Sequence, residues 1–187
     1  NEKQFNYPGE VHPSFGRSSI NMLAPTQFGN IGRTMRSYAL TRYSLDLDLF
    51  WTRLQRTMQN TADKFYQVMQ ETKAQVDCFV ALAFLSVLFT GFWTVYFISQ
   101  PRHPFLFLAI GFVGPLVTYA SYRLACQSYS VFADLVRAAV DGYRFGLLTD
   151  LHITQPFGTR EEELIWELLG DRTGYDSKEP LIYSSPK

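Results

Sequence analysis

Two long stretches without charged side chains dominate the pattern of hydrophobic and polar positions. The first lies between Asp77 and Arg102, and the second extends from Pro104 to Tyr122. A helix needs about 20 apolar residues to cross a hydrocarbon core of roughly 30 Å. The alternative, two buried helices of a soluble protein, would require a small domain to hide more apolar surface than its size allows. The pattern therefore predicts two membrane spans, residues 78–98 and 104–123.

The connection between the predicted spans, residues 99–103, is very short, so the spans should form an antiparallel hairpin with both chain ends on one side. Lysine and arginine set the orientation of such a hairpin, because they are enriched in cytoplasmic segments. Nine of them precede the first span, one lies in the connection and seven follow the second span. We therefore expect both termini on the cytoplasmic side of an integral membrane protein, with the hairpin occupying residues 77–125.

Small side chains in the two spans predict where the helices touch. Without a hydrophobic force between helices in lipid, small residues allow the close backbone approach that stabilises packing. The candidate packing residues are Ser86, Thr90, Gly91, Gly111, Gly114 and Thr118. Pro115 removes one backbone donor and should bend the second span. That bend is interpreted either as a gate or cofactor pocket, or as an accommodation to packing.

The segments outside the spans read as an irregular arm followed by helices. Residues 1–25 are rich in proline and glycine, and residues 26–76 predict cytoplasmic helices. The first predicted helix is capped by Thr26 and ends at about Tyr38. The second is capped by Ser44 and extends from Leu45 to about Gln59. The third begins at Ala62 and continues into the first span.

The second span should continue as a helix through residues 124–149, and the segment 126–170 should form the rest of the cytoplasmic bundle. One predicted face is apolar: Val131, Leu135, Ala138, Gly142 and Phe145. Another carries alternating charges at helical spacings: Asp134, Arg137, Asp141 and Arg144. Such spacings support a helix through ion pairs. Two interpretations stay open: the charged face binds a partner, or it is solvated and paired within the chain.

A short amphipathic helix should end the bundle. Thr159 and Glu162 have the spacing of a capping box, in which each side chain bonds the backbone of the other. Gly170 is suited to the position just after the helix end. Residues 171–187 are polar and predict a loose tail.

Composition narrows the functional classes. The 187 residues include 17 Lys+Arg and 17 Asp+Glu, so no excess positive charge exists to neutralise the phosphates of a nucleic acid. The aromatic content of 16% is too high for a disordered chain. The expected partners are membrane lipids and other membrane-protein subunits, and no nucleic acid.

No motif for catalysis or metal binding occurs in the sequence. His12, His103 and His152 lie in three separate segments, without a second ligand at metal-binding spacing. Cys78 and Cys126 lie near the cytoplasmic boundary, where paired thiols would stay reduced. The spans hold no charge that would mark an ion pathway. We therefore predict no catalytic residues, no metal and no cofactor. Bound lipid or pigment stays an open alternative.

Three motifs carry a resemblance. Leu23–Arg33, Arg42–Asp46 and Phe50–Leu54 together resemble the pattern P-T-R-L-G-N, R-Y-G-L-D and W-P-R-L of a widespread family of uncharacterised bacterial membrane proteins. The chain departs from that pattern at Gln27, Phe28, Ser44 and Thr52. The resemblance implies a bacterial cytoplasmic membrane, two transmembrane helices and further upstream membrane segments, but no reaction.

The sequence as a whole predicts an all-α membrane protein, a two-helix transmembrane hairpin whose helices extend into a cytoplasmic helical bundle. The leading functional hypothesis is a non-catalytic accessory or scaffolding subunit of a larger membrane complex. The alternative is a homo-oligomeric pore or membrane-disrupting effector. A third hypothesis is an enzyme acting on lipid at the inner interface through the charged face.

Overall fold

The computed structural model describes residues 24–99 and 104–173, and within them the protein is all-α. Its five helices are α1 (Gln27–Tyr43), α2 (Leu47–Thr61), α3 (Asp63–Ser99), α4 (Pro104–Asp150) and α5 (Thr159–Thr173). Three sequence predictions lie wholly or mostly outside the described residues: the arm before residue 24, the connection 100–103 and the tail after residue 173.

The helices α3 and α4 confirm the prediction that each apolar stretch is part of a longer helix, which continues into the other helical segments. At 1.5 Å per residue, the 37 residues of α3 extend about 55 Å and the 47 residues of α4 about 70 Å. Both lengths exceed the roughly 30 Å of a hydrocarbon core. Pro115 lies inside α4, which continues through it as one helix.

The apolar parts of α3 and α4 pack as an antiparallel hairpin. Ser86 Oγ lies 2.6 Å from Thr118 Oγ1, and one turn farther along α3 the side chain of Thr90 lies against Gly114. The contacts thus advance along α3 while they retreat along α4. Gly114 provides the closest approach, because a Cβ added there would lie 2.8 Å from Thr90 Cγ2.

The hairpin leaves almost all of its apolar side chains uncovered. In the most apolar 18-residue windows of α3 and α4, 0% and 6% of the residues are buried. Phe105 and Phe112 are 85% and 79% exposed. A core helix of a soluble protein would be mostly buried, whereas these helices have the length, composition and exposure of candidate membrane spans.

The hydrophobic core lies at the opposite end, where α1, α2 and α5 surround the second half of α4. Its fully buried side chains include Leu45, Phe50, Leu54, Met58, Val136, Val140, Leu148 and Trp166. The indole of Trp166 on α5 meets the Phe50 ring on α2 edge-on, with centroids 5.6 Å apart. Near the end of α4, Thr57 Oγ1 donates a hydrogen bond to the Asp150 carboxylate.

The junction between α1 and α2 differs from the prediction. Thr26 does cap α1, accepting a hydrogen bond from Gly29 N at 3.1 Å, but the helix continues to Tyr43. Ser44 ends this helix instead of starting the next: it adopts a left-handed conformation with φ 56° and bonds the carbonyls of Ala39 and Leu40. Asp46 caps α2, because its carboxylate reaches the backbone N–H of Asp48 at 2.9 Å.

The face of α4 that is buried in the structure is not the apolar face predicted from the sequence. Val131 is 54% exposed, and Ala138 and Gly142 are also exposed. The buried face instead uses Ala133 and Ala139, together with valines and leucines beside them. Small alanine side chains let other helices approach α4 closely, and periodicity alone could not tell which apolar stripe they cover.

The limits of α5 also differ from the prediction. Thr159 is its first helical residue, and the carboxylate that bonds the preceding backbone belongs to Glu161, which accepts from Phe157 N at 2.8 Å. Glu162 turns inward and is buried. The helix passes through Gly170, because Trp166 and Leu169 anchor its last turns in the core.

Glycine-to-alanine substitutions should have opposite effects on stability at Gly114, which packs against α3, and at Gly111, which is exposed. Gly114→Ala should destabilise the protein by about 1–3 kcal/mol, because its Cβ overlaps Thr90. Gly111→Ala should stabilise it by about 0.5–1 kcal/mol, because a Cβ there meets nothing within 4 Å and alanine favours the helix. Reversible unfolding in mixed micelles measures both; equal effects would contradict the assigned contact.

Candidate functional site

Asp141 on α4 joins that helix to α1 through two tyrosines. Its carboxylate accepts hydrogen bonds from Tyr43 Oη at 2.7 Å and from Tyr38 Oη at 2.8 Å and 3.1 Å. Tyr43 is buried and Tyr38 is half-buried, so the bonds form at the edge of the core. Charge-assisted bonds of this kind are stronger than neutral ones.

Arg144, one turn farther along α4, connects the same place to α5. Its Nε donates to Glu162 Oε1 at 2.7 Å, and the two side chains are only 16% and 7% exposed. The guanidinium also lies over the Tyr43 ring, 4.3 Å from its centroid, and bonds the backbone carbonyl of Asp141. One cation thus contacts residues of α1, α4 and α5.

The first half of the predicted charged face is different, because Asp134 points to solvent and Arg137 lies half-buried beside it. Arg137 Nη1 contacts Asp134 Oδ1 at 2.8 Å, with the side chains 31% and 71% exposed. The guanidinium of Arg137 also lies 5.8 Å from the centre of the Tyr38 ring. Of the four predicted residues, the structure therefore uses Asp141 and Arg144 to join helices and leaves Asp134 outward.

Three members of this network, Tyr38, Tyr43 and Glu162, were not predicted from the sequence. The two tyrosines are separated from Asp141 by about 100 residues, so no local spacing relates them. Glu162 was interpreted as a capping residue, since its position in the first turn fits that role equally well. The sequence already offered Asp141 as a partner for Arg144 at helical spacing, so no local signal pointed to Glu162.

The network changes the acidity of both tyrosines. Burial raises the pKa of Tyr43 above its ordinary value of 10.0, and the hydrogen bond to Asp141 raises it further. The pKa of Tyr38 is raised by the same two causes, again with desolvation first. Both phenols therefore keep the proton that they donate to Asp141 at neutral pH and beyond.

A second contact attaches the start of α1 to α4, near the apolar part of the hairpin. The Phe28 ring stacks on Tyr129, with centroids 4.1 Å apart. Gly32 makes room for this ring, since a Cβ added there would lie 2.7 Å from Tyr129 Oη. Because Gly32 meets Tyr129 and Tyr43 meets Asp141, α1 runs parallel to α4, with its N-terminus toward the apolar end.

The candidate packing residues of the spans divide into two groups. Ser86, Thr90, Gly114 and Thr118 lie at the contact between α3 and α4. The hydroxyls of Thr90 and Thr118 also donate to carbonyls one turn back, at 2.7 Å and 3.0 Å. By contrast, a Cβ on Gly91 or Gly111 would meet nothing within 4 Å, so these two glycines do not bring the helices together.

An apolar groove of about 620 Å³ runs along one side of this contact. Its walls come from both helices: Ala83, Phe84, Val87, Thr90 and Gly91 of α3, and Pro115, Thr118, Tyr119 and Tyr122 of α4. The groove thus includes the bend residue of the second predicted span. Its only polar atoms are hydroxyls and backbone groups, so it is suited to an apolar occupant.

A continuous aromatic face occupies the far half of α3. Its five members follow helical spacing, with neighbouring ring centroids 5.4–6.0 Å apart: Phe89, Phe92, Trp93, Tyr96 and Phe97. Phe97 is buried, whereas Phe92 is 68% exposed. We call this set the aromatic face. Its rings fix one another, so it offers a large preordered surface.

The described residues contain no group of three or more histidine, cysteine, aspartate or glutamate side chains that could hold a metal ion. Cys78 is exposed and Cys126 is buried, and both are free thiols. His152 has a left-handed backbone with φ 57° after the end of α4. His12 and His103 lie outside the described residues. The arrangement that the structure does present is a polar network that joins helices, beside an open apolar hairpin.

Comparisons with protein-family models, with curated proteins and with solved structures give no match. The class that the fold defines is therefore stated from the chain itself: an all-α protein whose two longest, apolar helices pack as a hairpin.

Neutralising Glu162 should be far more costly than neutralising the exposed acid of the same face. Glu162→Gln leaves the largely buried Arg144 without its carboxylate, which should cost about 3–5 kcal/mol of unfolding free energy. Asp134→Asn, the matched control, breaks a mostly exposed pair and should cost about 0–1 kcal/mol. Denaturant titration in micelles measures both losses of unfolding free energy. Similar losses in the two variants would contradict the assignment of a buried pair and an exposed pair.

Alkaline pH should loosen α1 from α4. A folded-state pKa raised above 10.0 contributes stability that is complete below that pH and is lost as the pH rises through the raised value. The unfolding free energy should therefore fall in this window, and fall less steeply in the Tyr38→Phe/Tyr43→Phe variant. Denaturation at a series of pH values measures the slopes, and tyrosinate absorbance follows the titration. Parallel slopes would count against the assignment.

Proposed function

We propose that this protein is a non-catalytic accessory or scaffolding subunit of a larger membrane complex. In this proposal, residues 78–98 and 104–123 cross a bacterial cytoplasmic membrane, and α1, α2 and α5 lie on the cytoplasmic side. The exposure of the apolar windows of α3 and α4 supports insertion in lipid. The distribution of lysine and arginine supports the orientation.

The observation that carries the proposal is the aromatic face of α3. Large, rigid aromatic side chains lose little conformational entropy on binding and are enriched at the centres of protein interfaces. Phe89, Phe92 and Tyr96 are 57%, 68% and 45% exposed, although the Trp93 ring contacts all three. A partner helix packed on this face would gain more contact than flexible lipid chains supply.

The polar network supports a structural role for the cytoplasmic half. The charged groups of Asp141, Arg144 and Glu162 bond other residues of the chain. These bonds fix α1 and α5 to α4. Charged groups in a catalytic site instead leave capacity for a substrate. The network therefore favours a rigid frame that holds the hairpin in one orientation.

The hydroxyls of the spans give little support to the alternative of a homo-oligomeric pore. Ser86 and Thr118 bond each other across the hairpin, and the Thr94 hydroxyl donates to the Thr90 carbonyl at 2.7 Å. Hydroxyls satisfied in this way are not presented to a water-filled lumen. The resemblance to uncharacterised bacterial membrane proteins stays a prediction, and it is compatible with either function.

Site-specific photo-crosslinking in native membranes tests the subunit proposal. A photoreactive phenylalanine analogue replaces Phe92 on the aromatic face, and the matched control replaces Phe112 of α4, which is 79% exposed. We expect a protein adduct with a different polypeptide from position 92 and only lipid adducts from position 112. After mild extraction, the native mass should exceed that of the 21.5 kDa chain.

A lone monomer without protein adducts would overturn the proposal. Adducts of the chain only with itself, together with ion leakage from liposomes that contain the purified protein, would favour the pore instead.

A further inference from the structure

The groove between α3 and α4 is shorter than a membrane-crossing helix and has the volume of a small-ligand site. From Ala83 to Gly91 it follows α3 for about 12 Å, whereas a crossing helix offers about 30 Å of contact. Its volume of about 620 Å³ falls within the roughly 300–1,000 Å³ that is typical of small-ligand sites. Its walls are almost wholly apolar, so a hydrocarbon chain is the fitting occupant.

The cytoplasmic end of the groove has phenols and cations beside it. Tyr119 and Tyr122 line this end, and Arg123 follows Tyr119 by one helical turn on the same ridge of α4. Lys73 lies about three turns before the groove residue Phe84, on the same face of α3. Long cationic side chains at such positions extend to the headgroup layer.

Arg123 is not neutralised within the described part of the chain. None of the ion pairs there involves Arg123 or Lys73. Arg33, next to the Gly32 contact with Tyr129, adds a third cation near this level, and its Nη1 is shielded from solvent without a hydrogen-bond partner among the described residues. Asp77 is the opposing charge: it lies one helical turn after Lys73 on the same face of α3 and therefore offsets Lys73, which leaves Arg123 uncompensated. The balance favours an anionic headgroup.

We propose that the α3–α4 groove binds one acyl chain of an anionic glycerophospholipid, whose phosphate is held by Arg123 at the cytoplasmic end. The proposal rests on the membrane placement of the hairpin proposed above. The phenols of Tyr119 and Tyr122 would lie at the depth of the glycerol esters. The bound lipid fills the seam beside Pro115 and connects the hairpin to the cytoplasmic bundle through its headgroup.

Native mass spectrometry of the purified full chain tests this, using phosphatidylglycerol and phosphatidylcholine with identical acyl chains. The wild type should retain phosphatidylglycerol preferentially. Arg123→Gln should reduce that preference about fivefold, and Asp77→Asn should increase it by about the same factor, because each changes one charge near the headgroup. Excess inorganic phosphate should not displace the lipid, since the acyl chain supplies most of the binding.

Two glycines provide a matched pair for the acyl chain. Gly91→Leu fills the groove and should weaken retention of both lipids about tenfold or more, because about two methylenes lose their place. Gly111→Leu is the control: its Cβ also enters open space, but Gly111 does not line the groove, so retention should not change. Circular dichroism melts check that both variants fold.

Equal retention of both lipids by all variants would overturn the proposal, as would displacement by inorganic phosphate. If Gly91→Leu changed the oligomeric mass and not lipid retention, the occupant would be a protein and the lipid proposal would be wrong. Failure of the subunit proposal gives a different result. A lone monomer in native extracts contradicts the assembly but leaves the lipid preference of the isolated chain intact.

Discussion

The structure depends on α4 remaining one helix from the apolar end of the hairpin to the far side of the bundle. Its 47 residues form one continuous helix, so side chains that are distant in the chain are held at set distances along it. Thr118 meets α3, Tyr129 meets the start of α1, and Arg144 meets α5. A break in this helix would separate these contacts into two independent halves.

The two halves of the molecule are stabilised by different physics. In the bundle, α1, α2 and α5 bury leucine, phenylalanine and tryptophan side chains against α4, and the hydrophobic effect supplies the free energy. In the hairpin, apolar side chains face outward, and the helices meet through a glycine and three hydroxyl-bearing residues. Close packing and interhelical hydrogen bonds are the forces that remain when lipid surrounds a helix pair.

The polar network fixes how α1 and α5 are rotated around α4. Hydrophobic contacts alone do not fix one rotation of α1 and α5 around α4, because the hydrophobic effect is non-directional. The bonds from Tyr43 to Asp141 and from Arg144 to Glu162 are directional, and both are made in the observed rotation. A buried ion pair contributes modestly to stability but penalises any arrangement that leaves either charge alone. This penalty favours a single orientation of α1 and α5 relative to the hairpin.

The sequence by itself determined the helical class, the two long apolar helices and their continuation into the bundle, because uncharged length and helical periodicity are local properties. It also located the start of α1 at Thr26, where a hydroxyl caps the first turn. Only the tertiary structure decided that Ser44 ends α1, that Glu162 faces inward and that Gly91 stays open while Gly114 packs. Each of these depends on what approaches from a distant part of the chain, and neither spacing nor composition specifies that neighbour.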